Sequence, residues 1–238
     1  LSILDNTSVD IKIIPDYKDI LAGNVKMNSI FHVPLIYVSR ELMPHWQRVI
    51  KRGFDIVVSI LVMTVLSPLY IITAGIVKFG SKGPVIYSQE RIGLHGKPFV
   101  MHKFRSMFVN AEEDGPALSN KADSRITPFG RFMRKYRLDE LPQFYNVLIG
   151  NMSLVGPRPE RKFFIDKIVQ QAPYYKLLHK IKPGITSWGQ VKYGYAENVD
   201  QMVKRLRYDI LYIENMSLIL DIKILIYTVI TVLKGRGL

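Results

Sequence analysis

Ile56-Val57-Val58-Ser59-Ile60-Leu61-Val62-Met63-Thr64-Val65-Leu66-Ser67-Pro68-Leu69-Tyr70-Ile71-Ile72-Thr73-Ala74-Gly75-Ile76-Val77 runs for 22 residues without a charge. As one helix it is long enough to cross about 30 Å of hydrocarbon. Ser67-Pro68 falls in its middle, where a proline removes a backbone hydrogen bond and bends the helix. Arg48, Lys51 and Arg52 precede the stretch, and Lys78 and Lys82 follow it. An ordinary span has a positive side and a poorer one. Positive charge at both ends suits a helix that enters a membrane, breaks at Ser67-Pro68 and returns to the same face. An uninterrupted span and a buried helix of a soluble core are the alternatives.

Composition points the same way. The chain of 238 residues carries 33 Lys and Arg against 20 Asp and Glu, a formal charge of +13. Such a surplus calls for an anionic partner: nucleic acid, acidic membrane lipid or a phosphorylated substrate. A nucleic-acid binder leaves the apolar stretch without a role, so none is expected. The absence of cysteine excludes disulfides, thiolate zinc sites and cysteine nucleophiles. Five scattered histidines show no metal-ligand spacing. The chain begins at Leu1 without a signal-peptide pattern, which reads as a fragment of a longer protein or a processed product.

Outward from the apolar stretch, residues 9–15 and 31–38 read as strands, too few to close a sheet. Residues 1–45 therefore look like the tail of a preceding domain plus a linker. Residues 84–107 read as a β-hairpin around Gly93 and Gly96. Lys103 and Arg105 on its second arm project from one face. An acidic loop (Glu112, Glu113, Asp114) follows, and Thr127-Pro128 opens a short helix bearing Arg131, Arg134 and Lys135. Farther on, 160–180 reads as helix interrupted at Ala172-Pro173, 182–186 as a turn and 187–196 as an irregular loop. Residues 197–215 read as helix. Residues 217–233 are apolar but broken by Asp221 and Lys223, which suits a helix lying along an interface. The expected class is α+β and predominantly helical, membrane-associated, with the Ser-Pro-broken re-entrant helix, a small hairpin and amphipathic interfacial helices.

Chemistry concentrates at Arg137-Leu138-Asp139-Glu140-Leu141-Pro142-Gln143. Pro142 is tolerated in a first helical turn, so a helix is expected to begin near Asp139. There, free N–H groups and the helix dipole favour an ionised carboxylate and receive phosphate; the plain alternative is a helix cap. Arg158, held between Pro157 and Pro159, suits bidentate phosphate binding. A carboxylate can attack phosphorus itself to form an acyl phosphate. Mg²⁺ would take Asp139 and Glu140 plus substrate oxygens. No GxxxxGK[ST] or GxGxxG run is present. The residues alone describe a phosphate-handling protein at a membrane surface.

Seven motifs in order carry a resemblance. They are Lys51-Arg52-Gly53-Phe54-Asp55, the stretch with Ser67-Pro68, Gln89-Glu90-Arg91-Ile92-Gly93, Lys103-Phe104-Arg105-Ser106-Met107, Leu138-Asp139-Glu140-Leu141-Pro142-Gln143, Gly156-Pro157-Arg158-Pro159 and Lys182-Pro183-Gly184-Ile185-Thr186. From residue 46 to the C-terminus the chain resembles the bacterial sugar transferases, monotopic polyprenyl-phosphate glycosyl-1-phosphate transferases. The resemblance implies transfer of a sugar-1-phosphate from a UDP-sugar to undecaprenyl phosphate, with release of UMP. It implies Asp139 as nucleophile carrying a covalent phosphosugar, and Glu140 assisting through Mg²⁺ or substrate positioning. Lys103, Arg105, Arg134, Arg158 and Gln143 are the candidate substrate-binding residues. It further implies a bacterial inner membrane with the catalytic domain on the cytoplasmic face, and contact with anionic lipid. Homo-oligomers are left open. Residues 1–45 would be the remnant of a Rossmann-like domain, and 46–238 the catalytic domain. Ser187, where many members have Gly, and Lys192-Tyr193-Gly194-Tyr195 depart from the family pattern. A non-catalytic basic membrane scaffold is the competing reading.

Overall fold

The computed structural model describes residues 12–13, 36–37, 42–113, 115–119 and 123–235, which form two compact units divided between Leu42 and Met43. In the first unit, β1 (Lys12–Ile13) pairs antiparallel with β2 (Ile36–Tyr37), Lys12 opposite Tyr37 and Ile13 opposite Ile36. The remainder of the strands expected over 9–15 and 31–38 lies outside the described residues, as does Asp114 of the acidic loop.

The second unit opens with α1 (His45–Val65) and α2 (Ser67–Gly80), bent from one another by 63°. Pro68 sits in the first turn of α2, where its missing N–H is no loss, so the proline starts a second helix instead of kinking one. Among the described residues no single helix is long and apolar enough to cross a membrane; the bent pair taken together reaches that length and composition, bent as it is.

The residues that α1 buries are polar. Asp55 and Ser59 are its buried positions; Asp55 accepts a hydrogen bond from the Leu154 N–H at 3.1 Å. One turn earlier, Lys51 Nζ donates to the Val155 carbonyl at 2.9 Å and pairs with Asp221 at 2.6 Å. Arg52 donates to the carbonyls of Val147 and Leu148 at 2.7 and 2.9 Å. Lys51 and Arg52 are thus inward staples, and the expectation that they flank a membrane segment as interfacial charges is corrected. The apolar side chains face outward instead: Val57, Ile60, Leu61 and Val65 on α1, and Ile71, Ile72 and Phe79 on α2, the last 92% exposed.

The hairpin follows. β3 (Ile86–Ile92) runs antiparallel to β4 (Pro98–Phe104), with Tyr87 opposite Lys103. Its tip needs the left-handed region at His95 (φ 56°) and Gly96 (φ 71°). Thr127 caps α3 (Pro128–Lys135), its side chain accepting from the Gly130 N–H at 2.9 Å. A 3₁₀ turn at Leu138–Glu140 leads to the short α4 (Gln143–Leu148). β5 (Ser153–Val155) then pairs in parallel with β6 (Gly184–Thr186). The turn expected over 182–186 is therefore a strand, because these residues complete the backbone hydrogen bonds of β5. Gly184 is required there: a Cβ would collide with the backbone of Gly156. Between the strands lie α5 (Lys162–Gln171) and a 3₁₀ segment (Pro173–Lys180), so the break expected at Ala172-Pro173 is present.

The loop expected over 187–196 contains α6 (Trp188–Lys192), capped by Ser187 Oγ accepting from Gln190 N–H at 3.0 Å. Then come α7 (Val199–Glu214) and α8 (Leu218–Leu233). α8 buries Asp221 and Ile224 and exposes Ile219 (80%), Ile222, Ile226, Val229 and Leu233. Under α2 the core is apolar: Val77, Phe104, Met133 and Leu141 are buried together, with Leu69 and Tyr70 against them. The Tyr70 hydroxyl also donates to the Leu141 carbonyl at 2.6 Å, tying the returning helix to the segment beside Asp139-Glu140.

Candidate active site

Asp139 and Glu140 are placed by backbone geometry. Arg137 takes a left-handed conformation (φ 54°), uncommon for a residue with a side chain, which reverses the chain out of α3 and starts the 3₁₀ turn. The expected helix at Asp139 begins instead at Gln143. Asp139 is buried within the separate turn, so no long helix dipole acts on it.

The two carboxylates have different surroundings. Glu140 Oε1 takes Lys103 and Arg158, each at 3.2 Å, and Oε2 takes Arg137 at 3.0 Å. Burial works against its charge, but the three cations overcome that and hold its carboxyl well below the usual carboxylate range. Among the described residues, Asp139 accepts no comparable hydrogen bond. Burial pushes its pKa up, the Lys103 charge opposes this, and the Glu140 charge reinforces it. Neighbouring carboxylates driven apart in this way suit different roles: one permanently ionised, the other more basic and free to react.

Both line a cavity of about 350 Å³. Its wall carries eight cationic side chains (Arg91, Lys103, Arg105, Arg134, Arg137, Arg158, Arg161 and Arg205) against four carboxylates (Glu112, Asp139, Glu140 and Glu160). Lys103, Arg105, Arg134 and Arg158, singled out in the sequence, all reach it. Gln143 does not line it; Gln143 is buried, and its Nε2 has no partner.

Four arginines (Arg91, Arg137, Arg161 and Arg205) and two glutamates (Glu112 and Glu160) of the wall had no site role assigned from the sequence. Glu160 is a second hub, pairing with Arg91 at 3.2 Å and Arg205 at 2.8 Å. Arg161 pairs with Glu112 at 2.7 Å. Tyr87, Gln89 and Arg91 alternate along β3, and their side chains join in line: Gln89 donates to the Tyr87 hydroxyl at 2.7 Å and accepts from Arg91 at 2.6 Å. That alternation is legible within the Gln89-Glu90-Arg91 motif. The position of Arg205, on a helix 45 residues beyond Glu160, is not.

For a divalent cation, no group of three or more His, Asp or Glu side chains converges among the described residues. Both Glu140 oxygens already serve cations. Asp139 is the carboxylate of the pair without a cation within ion-pair distance among the described residues, so a divalent ion would draw on it and on substrate oxygens.

Comparison with known proteins finds relatives over most of the chain. The bacterial sugar transferase family matches residues 46–235. Over 225 residues the chain is 40% identical to a UDP-N-acetylgalactosamine-undecaprenyl-phosphate N-acetylgalactosaminephosphotransferase of Aeromonas hydrophila, covering 94% of this chain and 52% of that protein. Over 231 residues it is 40% identical to a UDP-glucose:undecaprenyl-phosphate glucose-1-phosphate transferase of Klebsiella pneumoniae, covering 96% of this chain and 50% of that protein. An uncharacterized sugar transferase of Bacillus subtilis is 38% identical over 190 residues, 80% of this chain and 90% of its own length. The chain spans about half the length of the first two.

Proposed function

The chain belongs to the bacterial sugar transferase family, and on that footing we propose that it transfers a sugar-1-phosphate from a UDP-sugar to undecaprenyl phosphate. The observation that carries this reading is Asp139: a buried carboxylate of raised basicity, in the wall of a cavity whose cations outnumber its carboxylates eight to four. An Asp139 oxygen attacks the sugar-bearing phosphorus. A P–O bond forms to the carboxylate, the bond to the bridging oxygen breaks, and UMP leaves as the anion. Lys103 and Arg158, aligned by Glu140, neutralise the diphosphate where charge accumulates. A Mg²⁺ bound with the nucleotide would add charge neutralisation at the same oxygens, held by Asp139 and Glu140. An oxygen of undecaprenyl phosphate then attacks the same phosphorus, the aspartyl bond breaks, and the carboxylate is regenerated.

The bent pair α1–α2 serves as a re-entrant anchor in a bacterial inner membrane, with the cavity on the cytoplasmic face. Its outward isoleucines and Phe79 are exposed apolar side chains along one element, the kind of surface that marks a membrane or partner contact. Anionic lipid would meet Lys78 and Lys82, the exposed cations at the end of α2.

The test is nucleotide release by detergent-solubilised protein given UDP-sugars, Mg²⁺ and undecaprenyl phosphate. UMP from the wild type and a loss of at least a thousandfold in folded Asp139→Asn protein are expected. UDP as the product would refute the reading, because the bond broken would then be the glycosidic one.

A further inference from the structure

Arg158, which meets Glu140 in the cavity wall, stands just beyond the end of β5. What fixes β5 therefore fixes that guanidinium. β5 is buried along its length and pairs with β6 on one edge, with no strand on the other among the described residues. Buried backbone N–H and C=O groups need partners, and α1 supplies them with side chains where a second strand would otherwise stand. Asp55 accepts from the Leu154 N–H at 3.1 Å, and Lys51 Nζ donates to the Val155 carbonyl at 2.9 Å. Lys51 is steadied in turn by Asp221 at 2.6 Å, which also accepts from the Tyr212 hydroxyl at 2.7 Å.

Between Val155 and Arg158 the chain has no slack. The Gly156 N–H donates to the Thr186 carbonyl at 3.1 Å, and the Pro157 carbonyl accepts from the Gly184 N–H at 2.9 Å. A Cβ on Gly156 would collide with the Lys182 carbonyl. Pro157 and Pro159 fix the φ angles on either side of Arg158, and beyond them the Glu160 carbonyl accepts from the Ile92 N–H at 3.1 Å. The same turn of α1 reaches the other partner of the pair. Arg52 donates to the Val147 and Leu148 carbonyls in the last turn of α4, the helix that follows the Asp139-Glu140 turn. Lys51, Arg52 and Asp55 span little more than one helical turn, so a single rigid element sets the separation of the two segments.

Resting on the donor reading above, we propose that Asp55 and Lys51 are positioning residues for the donor's diphosphate: through β5 they set the reach of Arg158 toward Glu140 and the substrate. Neither residue lines the cavity, so their effect on a donor held there passes through Arg158. The element proposed to sit in the membrane is thereby also the gauge of the phosphate site, and a shift of α1 along its axis moves Arg158 with it. Ser59 supplies the contrast. It is buried on the same stripe, one turn farther on, but its hydroxyl donates within its own helix, to the Asp55 carbonyl at 2.6 Å.

The experiment is a calorimetric titration of the detergent-solubilised chain with UDP and Mg²⁺. Asp55→Ala should weaken UDP binding about tenfold, the worth of one charge-assisted hydrogen bond at Arg158, with the number of sites unchanged. A merely structural role would remove sites and leave the affinity of the rest as it was. Asp55→Asn, which keeps an acceptor for the Leu154 N–H, should recover most of the loss, and Ser59→Ala should bind like the wild type. In an Arg158→Lys background, Asp55→Ala should weaken binding by less than about twofold more, because it acts through Arg158. Should Asp55→Ala fail to fold, Arg52→Lys, which keeps the charge but not the fork across two carbonyls, goes through the same cycle. Losses that multiply independently, or an unchanged UDP affinity, overturn the assignment. UDP instead of UMP as the reaction product would refute the transfer reading alone, leaving the binding cycle to decide the positioning. A wild type that binds no UDP would overturn both.

Discussion

Glu140→Gln isolates what one buried carboxylate does for the site. Its oxygens hold Lys103, Arg158 and Arg137 at 3.2, 3.2 and 3.0 Å, and the side chain is only 7% exposed. The amide keeps the shape and one acceptor oxygen but removes the charge from the middle of three cations. Breaking a buried pair in this one-sided way costs about 3–5 kcal/mol. The cations are 15–19% exposed and border a cavity into which water can follow, which favours the lower end, about 3 kcal/mol. At roughly 2–4 °C per kcal/mol for a unit of this size, the melting temperature should fall by about 6–12 °C. Inorganic phosphate should restore part of that loss in the variant and do less for the wild type, because an anion replaces the missing charge. The assay is a thermal melt of detergent-solubilised protein at pH 7 with and without phosphate. A variant that melts within about 2 °C of the wild type, or gains nothing from phosphate, would refute the view of Glu140 as the charge that assembles the cation cluster.

The carboxylates should also separate by pH. Because the folded pKa of Asp139 is raised, burst UMP release should climb with pH through a midpoint above the ordinary carboxylate range; a midpoint below about 4 would refute this. Its ionisation costs stability as pH rises through that folded value, so Asp139→Asn protein should melt no lower than wild type at pH 7. Glu140, with a lowered folded pKa, contributes stability that is complete above its ordinary value and lost as pH falls through the folded one. The acid limb of the melting curve should therefore flatten in Glu140→Gln. For topology, single cysteines at exposed His45 and Lys82 should react with an impermeant reagent from the same side of oriented vesicles, and labelling from opposite sides would defeat re-entry. Pro68→Ala should shift Lys82 toward the far side.

Where local chemistry determined structure, the sequence was a good guide. The hairpin followed from alternation around Gly93 and Gly96, and α3 from Thr127-Pro128, since a cap and an N1 proline act within one turn. Of the site, Asp139, Glu140, Lys103, Arg105, Arg134 and Arg158 could be named because each stands in a short distinctive motif, and all six reach one cavity. Arg91 was quoted but given no role. Arg205 was missed altogether, because only the packing of α7 against the residue 45 positions earlier brings it to Glu160. Lys182-Pro183-Gly184 reads as a turn on its own. It becomes a strand only once β5 offers a parallel partner, a pairing between segments about 30 residues apart that no local pattern encodes.

The charges around the apolar stretch show how such a reading can use the wrong side chains. Lys51 and Arg52 were counted as interfacial anchors, yet they point into the protein, where Lys51 meets Asp221 and Arg52 caps two carbonyls of the α4 end. Helical periodicity explains both facts. Lys51, Asp55 and Ser59 recur every four residues and therefore share one face of α1. When a helix carries its polar stripe inward against carbonyls and a buried aspartate, the remaining circumference, Val57, Ile60, Leu61 and Val65, faces outward. Water is a poor solvent for that surface, and burial in hydrocarbon would recover roughly 25 cal/mol for each Å² covered. The inverted stripe is therefore firmer support for the proposed anchor than charge flanking, because it leaves an apolar surface on the outside whatever Lys78 and Lys82 contact. It also explains why the bend matters to the site: α2 returns over Leu141 through Tyr70 and ends at Arg105, so the element proposed to meet the lipid is packed against the one that holds Asp139.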